Sequence, residues 1–243
     1  MIRKSKRYLS AMIIGVMVIS NMLGAISVSA ETSDIKVTAI EKVNTDYEIY
    51  PSPQSVEYEE GSFNFGSDVN VVYEKGIDNY TKSRLEDEIL KAHSISYEVS
   101  DSNQIINGKT NILVGVYGSG EAVDRYAEKY TLLTENLFSK TDSYFLVSDN
   151  NVITVLGKDT DSAFYGLTTL YHIFNQVTDN EIRNFKIEDY ANVVTRGFIE
   201  GYYGNPWSVQ DRADLMTYGG YYKLNAYFYA PKDDPKHRVQ WRS

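Results

Sequence analysis

The carboxyl-terminal segment, residues 196–242, places the strongest constraint on the fold of this chain. It reads RGFIEGYYGNPWS, an amphipathic stretch, and then LNAYFYAPKDDPKHRVQWR. This predicts a strand over residues 197–203, a helix capped by Ser208 and Asp211, and a strand over residues 224–230. The second strand is apolar on both faces, which is typical of a parallel βαβ step. The segment is therefore predicted to begin a (β/α)8 barrel, whose binding loops lie at the carboxyl ends of the strands.

Upstream, residues 47–189 mix strands, helices and one hairpin. The hydrophobic spacing predicts strands over residues 68–74, 95–99, 110–117, 144–148 and 152–156, and helices over residues 79–93, 121–130 and 159–176. The run Asp149-Asn150-Asn151 predicts the hairpin turn. This order indicates a non-catalytic α/β sandwich domain. A polar leader, residues 31–46, precedes it, and residues 190–243 follow as the incomplete start of the barrel.

The first thirty residues are predicted to be a secretory signal peptide. Basic residues within 3–7 precede an apolar run over residues 9–28, and the sequence VSA ending at Ala30 supplies a cleavage site. Cleavage there makes Glu31 the first residue of a secreted, extracellular chain with no membrane association. The alternative is an uncleaved anchor helix, since the run is close to the ~20 residues that span a bilayer. Polar residues and glycine within the run favour secretion.

Composition excludes several kinds of chemistry. The chain has no cysteine, which removes thiolate ligands and thiol nucleophiles, and its three histidines are scattered. We therefore expect neither a metal nor a cofactor. The net charge of −9 repels phosphate backbones and excludes nucleic acid as a partner. The 21 tyrosines suit sugar binding and half-buried strands equally well.

No catalytic constellation is evident in residues 47–189. His172 lies near the apolar stripe of the last predicted helix of this region. There a packing histidine with satisfied hydrogen bonds is favoured over a ligand. The spacing Gly115-x-x-Gly118-x-Gly120 resembles a phosphate loop only loosely, because it lacks the lysine and the spacing of such a loop. We interpret it as a turn.

Two loops at the predicted carboxyl ends of the barrel strands hold the candidate site. Gly201 allows a ligand to approach the backbone and leaves its carbonyl free to accept, although a glycine that only permits a tight turn is equally consistent. Lys232 offers three donors to sugar hydroxyls, with a solvated loop lysine as the alternative. Asp233 and Asp234 could form a paired-carboxylate site, but turn capping or pairing with basic neighbours is favoured. For Trp207, packing at the helix entry is favoured over stacking on a sugar.

These residues resemble glycoside hydrolase family 84, the secreted bacterial β-N-acetylglucosaminidases often labelled hyaluronidases and their animal O-GlcNAc hydrolase relatives. EGYYGNPW is similar to the family's first barrel loop, and LNAYFYAPKDDPKHRVQWR to its second strand and the loop that follows. Upstream, YPSPQSVEYEEGSFNF and GKDTDSAFYGLTTLYHIF resemble the non-catalytic amino-terminal domain shared with family 20 hexosaminidases. The resemblance covers most of the mature chain and is most specific in residues 196–242.

The resemblance implies retaining hydrolysis without an enzyme nucleophile, in which the 2-acetamido oxygen of the substrate attacks the anomeric carbon. One aspartate orients the acetamido group, and its neighbour acts as general acid and then as base. By the same resemblance, Gly201 binds the sugar through its carbonyl and Lys232 through its ammonium. The implied substrates are N-acetylglucosamine-containing glycans or glycoproteins. The family's catalytic Asp-Asp pair follows a later strand, so Asp233-Asp234 is not that pair, and no residue of this chain receives a catalytic role.

The leading interpretation is a secreted β-N-acetylglucosaminidase, represented by its accessory domain and the start of its barrel. Because a complete barrel needs ~250 residues, we expect a fragment that is inactive alone. Two alternatives stay open. One is a non-catalytic module that binds glycan or a partner protein through residues 47–189. The other is a family 20 β-hexosaminidase, which uses an Asp-Glu pair.

Overall fold

The computed structural model describes residues 46–100, 104–201 and 207–229. The predicted signal peptide and almost all of the predicted leader lie outside these residues, as do Lys232, Asp233 and Asp234. Among the described residues, no helix has the length and apolar character needed to cross a bilayer.

A large mixed sheet with helices on its two faces forms the first unit of the fold, called the sheet unit below (residues 46–191). Its strands are β1 Ser55–Asn64, β2 Asp68–Tyr73, β3 Ser96–Val99, β4 Thr110–Val116, β5 Thr141–Asp149, β6 Val152–Gly157 and β7 Glu181–Ala191. Its helices are α1 Asn79–Leu85, which continues as a π-helical segment Glu86–Lys91, α2 Ala122–Ala127, α3 Thr160–Phe174, and a 3₁₀ turn Leu137–Ser139.

The strands of this sheet lie in the order β1-β7-β5-β6-β4-β2-β3. Parallel pairs join β6, β4, β2 and β3, and antiparallel pairs join β6, β5, β7 and β1. The β5–β6 turn passes through Asn150 and Asn151 at φ 48° and 64°, a left-handed conformation that asparagine tolerates well. The predicted hairpin is confirmed.

The core lies on both faces of the sheet, because successive strand residues point to opposite sides. In β4, Ile112 and Val114 face a layer that contains Leu167 and Leu170 of α3. Leu113 faces the opposite side, where α2 and the 3₁₀ turn supply the remaining apolar side chains. This arrangement confirms the predicted α/β fold.

The strand β7 has no counterpart in the sequence prediction. It lies between β1 and β5 and extends to Ala191. Its alternation is obscured by two carboxylates that are buried in the structure, Glu188 and Asp189. Glu188 accepts hydrogen bonds from the backbone amides of Leu133 and Thr134, at 2.6 and 2.7 Å. Since these partners are distant in sequence, the local pattern does not reveal the strand.

A second, smaller unit follows, called the βαβ unit below. It consists of β8 Gly197–Glu200, α4 Val209–Gly220 and β9 Ala226–Tyr229. The two strands are parallel, with Gly197 opposite Ala226 and Glu200 opposite Tyr229. The predicted βαβ order is confirmed, although each strand is shorter than its prediction.

Local sequence explains how this unit is built. The capping box is confirmed: Ser208 Oγ accepts from the Asp211 amide at 3.1 Å, and Asp211 Oδ2 accepts from the Ser208 amide at 3.0 Å. Such a pair satisfies amides that the first helical turn leaves free. At the other end of α4, a Cβ at Gly219 would lie 3.0 Å from the Phe198 ring. Glycine there lets the helix pack closely on β8.

Candidate functional site

The carboxyl ends of β8 and β9 lie side by side, as parallel pairing requires. Glu200 and Tyr229 are the paired residues at these ends. Gly201 follows Glu200 and is exposed, and among the described residues no atom beyond its chain neighbours lies within 4 Å of where a Cβ would be. The described part of the chain therefore leaves the backbone at Gly201 uncovered, as a sugar-binding carbonyl requires. Lys232 lies outside the described residues, so its proximity to Gly201 stays a prediction.

Glu200 is a charged residue at this edge, and it is buried, with 5% of its surface exposed. Its carboxylate accepts from Arg212 Nε at 2.7 Å and from Arg212 Nη2 at 2.9 Å, and the Tyr227 hydroxyl donates to the same carboxylate. Two parallel bonds from one guanidinium fix the plane of the carboxylate. The Arg212 guanidinium also lies over the Tyr229 ring, 4.8 Å from its centroid.

The Glu200–Arg212 pair lies directly before Gly201 in the fold. It joins the carboxyl end of β8 to the first turn of α4, and the Trp207 backbone also hydrogen bonds to Glu200. The hydrogen bonds from Arg212 lower the pKa of Glu200 from its ordinary value of 4.5. Glu200 is therefore held as a carboxylate with its oxygens occupied by partners. This favours a positioning role over proton transfer.

We expect Glu200→Gln to remove an acid-sensitive part of the stability of the βαβ unit. The folded-state pKa of Glu200 is depressed, so its stabilisation is present above the unfolded pKa and is lost as pH falls through the folded value. The difference in unfolding free energy between wild type and variant should therefore be larger at about pH 6 than at about pH 3. Urea unfolding followed by tryptophan fluorescence measures it, because both tryptophans, Trp207 and Trp241, lie in residues 196–243.

The control for this experiment is Glu128→Gln, since Glu128 is an exposed carboxylate of the sheet unit. It should change the tryptophan-detected transition little at either pH. If the difference in unfolding free energy between wild type and Glu200→Gln were the same at both pH values, it would contradict the role assigned to the Glu200–Arg212 pair.

The Glu200–Arg212 pair has no counterpart among the sequence predictions. Its signal in the sequence is a glutamate within the first predicted barrel strand and an arginine in the first turn of the following helix. Those positions meet only when the strand and helix pack together. Trp207, for which packing was favoured, is 50% exposed at the entry to α4.

Two carboxylates fill the glycine-rich loop of the sheet unit. Glu74 accepts from the backbone amides of Val116 and Asp124, both at 2.8 Å. Asp124 in turn accepts from the amides of Gly118 and Gly120, at 3.1 and 2.9 Å. An anion would need these donors, and the protein's own side chains already use them. The interpretation of this loop as a turn rather than a phosphate site is confirmed.

His172 is held by the backbone on both sides of its ring. Its Nε2 donates to the Tyr221 carbonyl at 2.8 Å, while its Nδ1 accepts from the Tyr50 amide at 3.2 Å. Burial lowers the pKa of His172 and favours the neutral ring that this pattern requires. The predicted packing role is confirmed. Within the described ranges, no group of three or more acidic or histidine side chains is arranged to hold a metal.

Comparison with known proteins places both units among glycoside hydrolases. The family model described as glycosyl hydrolase family 20, domain 2, matches residues 46–190. The chain belongs to this family. A second model, described as beta-N-acetylglucosaminidase, matches residues 196–243 and therefore includes Gly201 and Lys232.

Individual relatives agree with both matches. The Protein O-GlcNAcase of Rattus norvegicus is 50% identical over 46 residues, which are 19% of this chain and 5% of that protein. The solved structure of CpGH84D is 48% identical, with a TM-score of 0.77, over 82% of this chain and 33% of that one. That of CpGH84B is 29% identical, with a TM-score of 0.66, over 82% of this chain and 32% of that one.

The chain thus spans about a third of the length of these solved relatives. The resemblance to the amino-terminal part of glycoside hydrolase family 84 is confirmed. The family model that matches residues 196–243 is described as beta-N-acetylglucosaminidase, and the relative in Rattus norvegicus is a Protein O-GlcNAcase.

Proposed function

We propose that the chain is part of a secreted glycoside hydrolase that removes terminal β-linked N-acetylglucosamine from glycans or glycoproteins. The observation that carries the proposal is the match of residues 196–243 to the beta-N-acetylglucosaminidase family. It includes a parallel βαβ unit in which Gly201 is exposed among the described residues at the carboxyl edge. Barrel enzymes bind their substrates at that edge.

In this proposal Gly201 and Lys232 hold the sugar. The Gly201 carbonyl accepts a hydrogen bond from a sugar hydroxyl, and the Lys232 ammonium donates one. The acetamido oxygen of the substrate attacks the anomeric carbon as the leaving group takes a proton, and water then opens the oxazoline with retention. A tethered nucleophile of this kind gains a large effective concentration. The Asp-Asp pair that serves the acetamido group and the leaving group in family 84 is not assigned to any residue of this chain, so in this proposal residues 1–243 alone are inactive.

A segment exchange tests this function. Residues 196–243 of this chain replace the corresponding segment of rat O-GlcNAcase, to which the chain is 50% identical over 46 residues. The chimera should hydrolyse an aryl N-acetyl-β-glucosaminide. Lys232→Ala within it should lower kcat/KM by roughly 10- to 100-fold, the usual value of a hydrogen bond from a charged group. Lys236→Ala, in the same loop, is the matched control and should change kcat/KM by less than about twofold.

Two results would contradict the proposal. The first is hydrolysis of the aryl glycoside by the unfused 243-residue chain at a rate typical of such enzymes. The second is a folded chimera in which Lys232→Ala and Lys236→Ala have equal effects. Binding of N-acetylglucosamine to residues 47–189 alone would instead support the non-catalytic module.

Secretion is part of the same proposal. It rests on the basic start, the apolar run and the VSA sequence that ends at Ala30. Amino-terminal sequencing of the exported protein should return Glu31 as the first residue, whereas an intact Met1 would support an uncleaved anchor.

A further inference from the structure

A buried lysine makes the first of several connections between the sheet unit and the βαβ unit. Lys223 follows α4, has a left-handed backbone with φ 58°, and its side chain is 7% exposed. Its Nζ donates to the Tyr144 hydroxyl at 2.8 Å and to Asp189 Oδ2 at 2.9 Å. The Tyr144 hydroxyl donates to the same Asp189 oxygen at 2.9 Å. Tyr144 is on β5 and Asp189 on β7, so the ammonium connects two central strands to the turn before β9.

Arg196 makes the second connection between the units. It precedes β8, and its Nη2 donates to Asp142 Oδ2 of β5 at 2.8 Å. Its Nε donates to the Lys223 carbonyl at 3.1 Å, and its Nη1 to the Val193 carbonyl at 2.8 Å. One guanidinium therefore ties the start of β8 to the sheet unit, to the joining segment and to the turn before β9.

Helices of the sheet unit hold the same turn from another side. The rings of Tyr221 and Tyr171 are stacked, with centroids 4.7 Å apart. The Arg84 guanidinium lies over the Tyr221 ring at 4.6 Å, and His172 donates to the Tyr221 carbonyl. The turn 221–223 is thus fixed by packing, cation–π contact and hydrogen bonding.

Within the described part of the βαβ unit, the Glu200–Arg212 pair and the packing of α4 on β8 are internal contacts, and they join only two strands and one helix. Two-stranded pairs are at best marginally stable in isolation. Several large apolar side chains of this unit are exposed, among them Ile199, Met216 and Phe228 at 74%, 48% and 52%. The contacts with the sheet unit are made at the amino ends of β8 and β9, opposite the edge that carries Glu200 and Gly201.

We propose that the sheet unit acts as a clamp that seats the first two barrel strands. The clamp consists of Asp142, Tyr144 and Asp189 of the sheet unit, which hold Arg196 and Lys223 of the following segment. It fixes the amino ends of β8 and β9 in parallel register and leaves their carboxyl ends free to form a binding site. This role is independent of the sugar-binding function proposed above and assigns a purpose to the family 20 domain 2 itself.

Hydrogen exchange on the full chain tests the clamp. Lys223→Met retains the aliphatic stem but leaves the Asp189 carboxylate buried without its cation, a strongly destabilising change. Exchange in β8 and β9 should become roughly tenfold faster or more, while β4 and β6 retain their protection. Lys91→Met is the matched control, because Lys91 pairs with Asp87 at 2.5 Å on the exposed surface. It should leave exchange in both units unchanged.

Two further variants complete the test. In Lys223→Met/Asp189→Asn the buried charge is removed, and β8 and β9 should recover part of their protection. Arg196→Gln leaves the Lys223–Asp189 pair intact and should also accelerate exchange in β8 and β9, so it carries the test if Lys223→Met fails to fold. Wild-type protection of β8 and β9 in Arg196→Gln and in any folded Lys223→Met would overturn the proposal. Equal loss of protection in the βαβ unit and in β4 and β6 would also overturn it.

Discussion

Replacing Glu74 with alanine is expected to lower the free energy of unfolding by about 3–5 kcal/mol, because it leaves buried donors without partners. Glu74 is 3% exposed and accepts from the amides of Val116 and Asp124 and from Ser119 Oγ at 3.0 Å. The truncation removes all three hydrogen bonds and opens a cavity beside Gly115. The Glu74 carboxyl group packs tightly there, since a Cβ added at Gly115 would lie 2.7 Å from its carbon. Urea denaturation followed by far-UV circular dichroism measures the loss.

Two matched variants interpret this result. Glu74→Gln preserves the shape of the side chain but turns its NH₂ group toward donors that now bond to a carboxylate oxygen. We therefore expect a loss of unfolding free energy between those of wild type and Glu74→Ala. Glu121→Ala removes a carboxylate that accepts one bond, from the Lys75 amide at 3.2 Å, and should cost less than about 1 kcal/mol. Equal losses in Glu74→Ala and Glu121→Ala would show that Glu74 does not organise the loop.

The second large effect concerns Gly197 in β8. A Cβ at this position would lie 1.7 Å from the Ala226 carbonyl oxygen, so the strands cannot keep their present separation around any side chain. Gly197→Ala should destabilise the βαβ unit by about 3 kcal/mol, at the upper end of the usual cost of overpacking. Hydrogen exchange measures this effect: exchange in β8 and β9 should become faster, while β4 and β6 keep their protection.

Gly201→Ala is the control for Gly197. Among the described residues, no atom beyond its chain neighbours lies within 4 Å of a Cβ at Gly201, so the change should cost less than about 0.5 kcal/mol. A Gly197→Ala protein with wild-type exchange in β8 and β9 would contradict the register described for these strands.

Local signals in the sequence were sufficient for much of the fold. Asp159 at the start of α3 accepts from the Ser162 amide at 2.8 Å, and the hairpin turns at Asn150 and Asn151. Each of these features depends on residues close in sequence, so propensity and spacing reveal them. The capping box at Ser208 belongs to the same class.

Features that depend on distant partners could not be predicted. β7 contains Glu188 and Asp189, which look like surface residues until their partners in the loop and at Lys223 are known. Lys223 itself reads as an ordinary polar residue after a helix. In the candidate site, the sugar-binding roles of Gly201 and Lys232 are implied by the family resemblance and stay predictions, whereas the Glu200–Arg212 pair depends on the packing of α4 on β8. Burial of a charge is a property of the tertiary structure and has no local signature.

A crystal structure of the O-GlcNAcase chimera bound to N-acetylglucosamine would show directly whether Gly201 and Lys232 hold the sugar. The Gly201 carbonyl oxygen and the Lys232 Nζ should lie within about 3 Å of hydroxyls of one sugar, at the carboxyl edge of β8 and β9. A sugar that contacts neither residue, or a structure in which Gly201 and Lys232 lie on opposite surfaces, would contradict this role of the two residues.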